Sequence, residues 1–77
     1  DVIGVITPSG VPIAFPRASA IAALKQGQSV EFEKVSLVLL ADGVRAMGDD
    51  GDTIPSHEAF WFAWSQFHGG TEVWIGH

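Results

Sequence analysis

Apolar and polar positions divide the chain into short segments with different periods. Val2 to Ile6 is an apolar, β-branched run, as in a strand. Thr7-Pro8-Ser9-Gly10 follows, with proline presetting φ and glycine supplying a positive φ for a turn. Val11 to Phe15 resumes the run, so the two segments form a hairpin. Pro12 lacks an N–H and belongs at an edge or at the start of its strand. Pro16 suits the first turn of a helix. Arg17 to Gln26 is alanine-rich, with Ile21 and Leu24 three apart, and predicts a short helix closed by Gly27. Ser29 to Lys34 alternates, placing Val30 and Phe32 on one face and Glu31 and Glu33 on the other. Val35 to Ala41 is almost continuously apolar, the pattern of a strand covered on both faces. Asp42-Gly43 predicts a two-residue type I′ turn leading into Val44 to Met47.

The acidic loop Gly48 to Asp52 leads to Ile54–Trp74, IPSHEAFWFAWSQFHGGTEVW. This stretch predicts one helix and one strand. Ser56 is positioned as its N-cap, Glu58 lies in the first turn, and Gly69-Gly70 ends it. At 100° per residue, Phe67, Phe60, Trp64, His68 and Trp61 fall within an arc of roughly 120°, the expected buried face. Phe62 lies about 160° from the centre of that arc, beside Ser65 and Gln66. Thr71 to Ile75 forms the final strand. The expected fold is α+β: a small, mostly antiparallel sheet in the order β-β-α-β-β-β-α-β, residues 1–77 making one domain.

Composition narrows the function classes. A chain of 77 residues buries only about 60% of its unfolded surface, so its stability margin is thin. It has no cysteine, which excludes a disulfide framework, a thiol nucleophile and a thiolate metal site. The formal net charge is −5, with four scattered basic residues. That excludes the basic patch of a nucleic-acid binder and disfavours anionic lipid. No apolar run approaches a membrane span, so membrane contact, if it occurs, is peripheral. The start at Asp1 without Met suits a processed product or an excised segment.

Catalytic signatures are missing. Neither G-x-G-x-x-G nor G-x-x-x-x-G-K-[ST] occurs, nor the G-x-S-x-G elbow. His57 and His68, eleven apart on one expected helix, would stand roughly 16 Å from each other, too far to share a metal. The Asp49-Asp50-Gly51-Asp52 run lacks EF-hand spacing and reads as a solvated turn. No cofactor or metal is implied. The one candidate ligand site combines Trp61, Trp64, His68 and Glu72. Phe62 is the candidate interaction surface.

The helix and its flanks carry a resemblance. Phe60-Trp61-Phe62-Ala63-Trp64, Phe67-His68 and Thr71-Glu72-Val73-Trp74, preceded by an acidic-glycine loop and Ile54-Pro55, resemble the C-terminal signature of the bacterial domain-of-unknown-function family 3179. Val2 to Pro16 is similar to that family's opening hairpin. The chain has no counterpart of the family's Tyr-Cys-Pro-x-Cys segment, and Gly69 stands where proline is common. The resemblance implies the terminal part, or a stand-alone relative, of a larger bacterial protein. It implies no chemistry.

The function expected from the residues is a non-catalytic structural or protein-interaction module, such as a small accessory subunit, meeting a protein partner or another copy of itself. A small-ligand or enzymatic domain built on His68 and the tryptophans is one alternative. A membrane-peripheral module is the other.

Overall fold

The computed structural model describes residues 1–41 and 43–75. Two four-stranded sheets pack face to face, with two helices, so the fold is α+β and mostly antiparallel. The first sheet has the order β7-β1-β2-β8, from Ser56–Ala59, Val2–Ile6, Pro12–Pro16 and Glu72–Val73. The second has the order β3-β4-β5-β6, from Val30–Phe32, Val35–Leu40, Gly43–Met47 and Thr53–Ile54. Only β8 runs parallel to its neighbour β2.

The first hairpin forms as its residues dictate. Val2 pairs with Pro16 and Ile6 with Pro12, so proline opens the second strand. In the turn, Thr7 N–H donates to the Val11 carbonyl at 3.0 Å and Gly10 N–H to the Thr7 carbonyl at 2.8 Å, with Gly10 at φ 90°. Thr7 Oγ1 accepts from Val11 N–H at 3.0 Å, which satisfies the buried Thr7 hydroxyl. Helix α1, Arg17–Lys25, follows Pro16 at its N-cap. Its end is a Schellman motif. Gln28 N–H donates to the Ala23 carbonyl and Gly27 N–H to the Leu24 carbonyl, both at 3.0 Å, with Gly27 at φ 80°. Ala20, Ala23 and Leu24 bring α1 close against the sheets.

Strand alternation then builds the core. Ile3, Val5, Ile13 and Phe15 face inward from the first sheet; Val30, Val35, Leu37, Ala46 and Ile54 face them from the second. Trp74 joins this cluster, its ring centroid 6.1 Å from that of Phe15.

Three expectations need correction, and a fourth falls outside the described residues. The 29–34 strand ends at Phe32, and Glu33-Lys34 form a two-residue hairpin turn with φ 53° and 65°. Glu33 therefore shares no strand face with Glu31, whose carboxylate accepts from Ser36 Oγ at 3.1 Å. The β4 strand is covered only where Val35 and Leu37 lie; Val38, Leu39 and Leu40 are exposed, because β3 ends opposite Leu37. The turn expected at Asp42-Gly43 involves Asp42, which lies outside the described residues. Gly43 itself is in β5, paired with Leu40, at φ 137°. Finally, the one sheet is two, and two short strands, β6 and β7, stand where a loop and a helical turn were expected.

The Glu33-Lys34 turn carries a testable strain. Residues other than glycine lose roughly 1–2 kcal/mol each in the left-handed region. Type I′ turns favour Asn-Gly. Glu33→Asn with Lys34→Gly should therefore raise the unfolding free energy by about 1–2 kcal/mol. A urea midpoint that does not move, or falls, contradicts this assignment of the turn.

Candidate functional site

Helix α2, Trp61–Phe67, is much shorter than its sequence suggests. The capping signal at Ser56 and Glu58 is overridden by pairing. Ser56–Ala59 forms β7, antiparallel to β1, with Val2 opposite Ala59 and Val5 opposite Ser56. Arg17 Nε donates to Glu58 Oε1 at 2.9 Å across the surface, an exposed pair worth little. The helix instead begins after Phe60, whose carbonyl accepts from Trp64 N–H at 3.0 Å. No side chain caps it.

The sheet prepares a seat for one residue of this helix. On the outer face of β1 and β2, the alternating positions are Val2, Gly4 and Ala14, all buried. Trp64 lies against them and is only 5% exposed. Gly4 is needed there for space: a Cβ at that position would come 2.2 Å from Trp64 Cζ3. The imidazole of His68 stacks on the indole with centroids 4.1 Å apart and planes at 41°. His68 is held by its backbone, its N–H donating to the Trp64 carbonyl at 2.9 Å. Thr71 Oγ1 and Thr71 N–H both donate to the His68 carbonyl. The Trp64 Nε1–H is buried and has no hydrogen-bond partner among the described residues.

The rest of the expected buried arc is outside. Phe60 is 72% exposed, Trp61 44% and Phe67 83%, and Phe62, expected outside, is 72% exposed. The reason is geometric. A seven-residue helix resting on one sheet touches it along a single row, and among the described residues no second layer lies over it. Apart from Ser65 and Gln66, every residue of α2 is apolar or aromatic, and none is charged.

The proposed ligand set is only partly assembled. Trp64 and His68 are in contact, and Trp61 belongs to the same helix. Glu72 pairs with Ile13, and Val73 with Ala14. Glu72 therefore projects with Ile13, on the opposite sheet face from Trp64. Two clefts lie elsewhere. One, about 310 Å³, runs beside Leu24, Val30 and Leu39. The other, about 330 Å³, lies among the turns holding Thr7, Ser9, Lys34 and Asp50. Neither is lined by Trp61, Trp64, His68 or Glu72.

Periodicity marked the aromatic arc but not its direction. The signal that could have found the exposed face is composition around the helix: one apolar on all sides asks for cover on all sides. Gly4 as the seat of Trp64 carries no local signal at all. Among the described residues no helix is long and apolar enough to cross a membrane. No family model, no curated protein and no solved structure matches the chain.

Proposed function

We propose that this chain is a non-catalytic protein-interaction module, an accessory subunit or the terminal part of a larger assembly, which docks through α2. The observation that carries this is the exposure of Phe60, Trp61, Phe62 and Phe67 around a helix pinned by Trp64 alone. An apolar helix on a soluble domain is stable when covered, and an exposed patch of this size marks an interaction site. The indole N–H of Trp64, without a partner among the described residues, adds a donor under the same face. The resemblance to the family 3179 C-terminus belongs to this proposal, since a terminal module of a larger bacterial protein would have such a face to cover. The small-ligand alternative is less well supported, because it needs Glu72 on the side of the sheet that holds Trp64. The net charge of −5 makes anionic lipid a poor cover for the patch.

The test is affinity capture by the intact chain from cells that produce it, with Phe62→Ser/Phe67→Ser as the reference. The expected result is a stoichiometric, identified protein retained by the parent and lost by the variant. Equal recovery by both, or flotation of the parent with neutral liposomes and loss of flotation by the variant, would overturn the protein-docking role.

A further inference from the structure

We propose that the open edge of β4 at Leu39 receives an extended peptide segment of another protein. The segment adds to the second sheet as a strand antiparallel to β4, with an apolar residue opposite Leu39 and a basic residue near Glu31. This surface belongs to the second sheet and does not depend on the α2 reading. Alternation shows which main-chain groups are open. The two-residue turn at Glu33-Lys34 makes Phe32 and Val35 a hydrogen-bonded pair. Val35 and Leu37 therefore turn their N–H and C=O groups to β3, and Ser36, Val38 and Leu40 turn theirs to β5. Leu39 turns its pair to the β3 side, beyond Val30, where β3 does not reach. The cause is local. Gln28 N–H is taken by the Ala23 carbonyl in the cap of α1, so the residues before Val30 leave the ladder. Among the described residues, no main-chain group on that side bonds Leu39 N–H or C=O.

The cleft of about 310 Å³ lies at this point. Leu37 and Leu39 line it from one sheet face and Ser36 and Val38 from the other. It therefore lies in the plane of the sheet, along the line of β3. An extended backbone carries N–H and C=O groups at the spacing that Leu39 presents. The inner side of the cleft is apolar, with Leu24, Leu37 and Leu39; the carboxylate lining it is that of Glu31. Other edges are blunted. Thr7 N–H bonds the Val11 carbonyl and Arg17 N–H the Asp1 carbonyl. That register puts Pro12 and Pro16, which have no N–H, at the positions of β2 facing away from β1. The edge strand β7 carries Glu58, and β3 carries Glu31. From Val35 to Ala41 there is no charge and no proline, and Val38, Leu39 and Leu40 are exposed. Sheets protect their edges with charge and proline, and a bare edge beside a cleft is open to strand addition.

The experiment titrates the isotope-labelled intact chain with a capped peptide of alternating valine and lysine, followed by amide spectra. The expected result is saturable shifts centred on Val38–Leu40, with a dissociation constant on the order of 0.1–1 mM, since few main-chain bonds form. In the proposed register the valine N–H groups face Leu39 and the lysine N–H groups face solvent. N-methylation of the valines should weaken binding about tenfold or more, and N-methylation of the lysines should leave it unchanged. Leu39→Pro should also weaken it about tenfold or more while the chain stays folded, because the Leu39 N–H takes no part in the β4–β5 ladder. Should Leu39→Pro unfold, the two methylated peptides decide alone. No saturable shift at several millimolar peptide overturns the proposal, as does equal binding with methylated valines. Leu39 shifts that follow protein concentration without peptide would make a second copy the occupant, and overturn it too. Phe62→Ser/Phe67→Ser should bind the peptide as the parent does, so this test and that of docking through α2 fail separately.

Discussion

Replacing Phe15 with alanine is expected to lower the unfolding free energy by about 3–5 kcal/mol. Phe15 is fully buried between the two sheets and packs against Trp74. Removing its ring takes away buried apolar surface and leaves a cavity that two hydrogen-bonded sheets cannot close. A domain of this length has a total stability of about 4–12 kcal/mol, so much of it would be lost. Urea unfolding followed by tryptophan fluorescence measures it. A loss below about 1.5 kcal/mol would be too small for a fully buried Phe and would place the centre of the core elsewhere.

The second large effect concerns the seat of α2. Trp64→Ala should cost about 3–5 kcal/mol. Gly4→Ala should cost about 1–3 kcal/mol, because the added methyl meets the indole ring backed by the sheet. The informative result is the pair. Once Trp64 is alanine, the space over Gly4 is free, and φ at Gly4 is not in the left-handed region. Adding Gly4→Ala to Trp64→Ala should then be neutral or gain about 0.4–1 kcal/mol through the unfolded chain. The two substitutions share one contact, so their effects should not add. Additive losses in the double mutant would mean that Trp64 does not rest on Gly4.

Where the sequence was legible, the signals were local. The Thr7–Gly10 turn, the Pro16 start and Gly27 end of α1, and the strand alternation at Val30 and Phe32 each rest on a few neighbouring residues. Where it was not, a distant partner decided. Ser56–Ala59 carries a helix-start signal but pairs with Val2–Val5, more than fifty positions away, and that pairing shortens the helix. Glu33-Lys34 contains none of the usual I′ residues, so the turn is imposed by the pairing of Phe32 with Val35. The division into two sheets, and the parallel pairing of β8, also leave no local trace.

The candidate site followed the same rule. Periodicity correctly placed Trp64 at the centre of its arc and Phe62 outside it. It also buried Phe60, Trp61 and Phe67, which are exposed, because a periodic stripe records where cover is wanted rather than where one sheet supplies it. Glu72 stands only four positions after His68, yet strand alternation turns it to the other sheet face from Trp64. The exposure of Phe60, Trp61 and Phe67 is what widens the proposed interaction surface from Phe62 alone to the whole of α2.

The most direct measurement of the proposed docking surface is a titration of amide spectra of isotope-labelled protein with the protein recovered by affinity capture. Docking through α2 predicts shifts confined to Phe60–His68 and to neighbouring Ile6 and Val73. Shifts centred on the open edge of β4 at Val38–Leu40, or spectra that do not change on its addition, would contradict it.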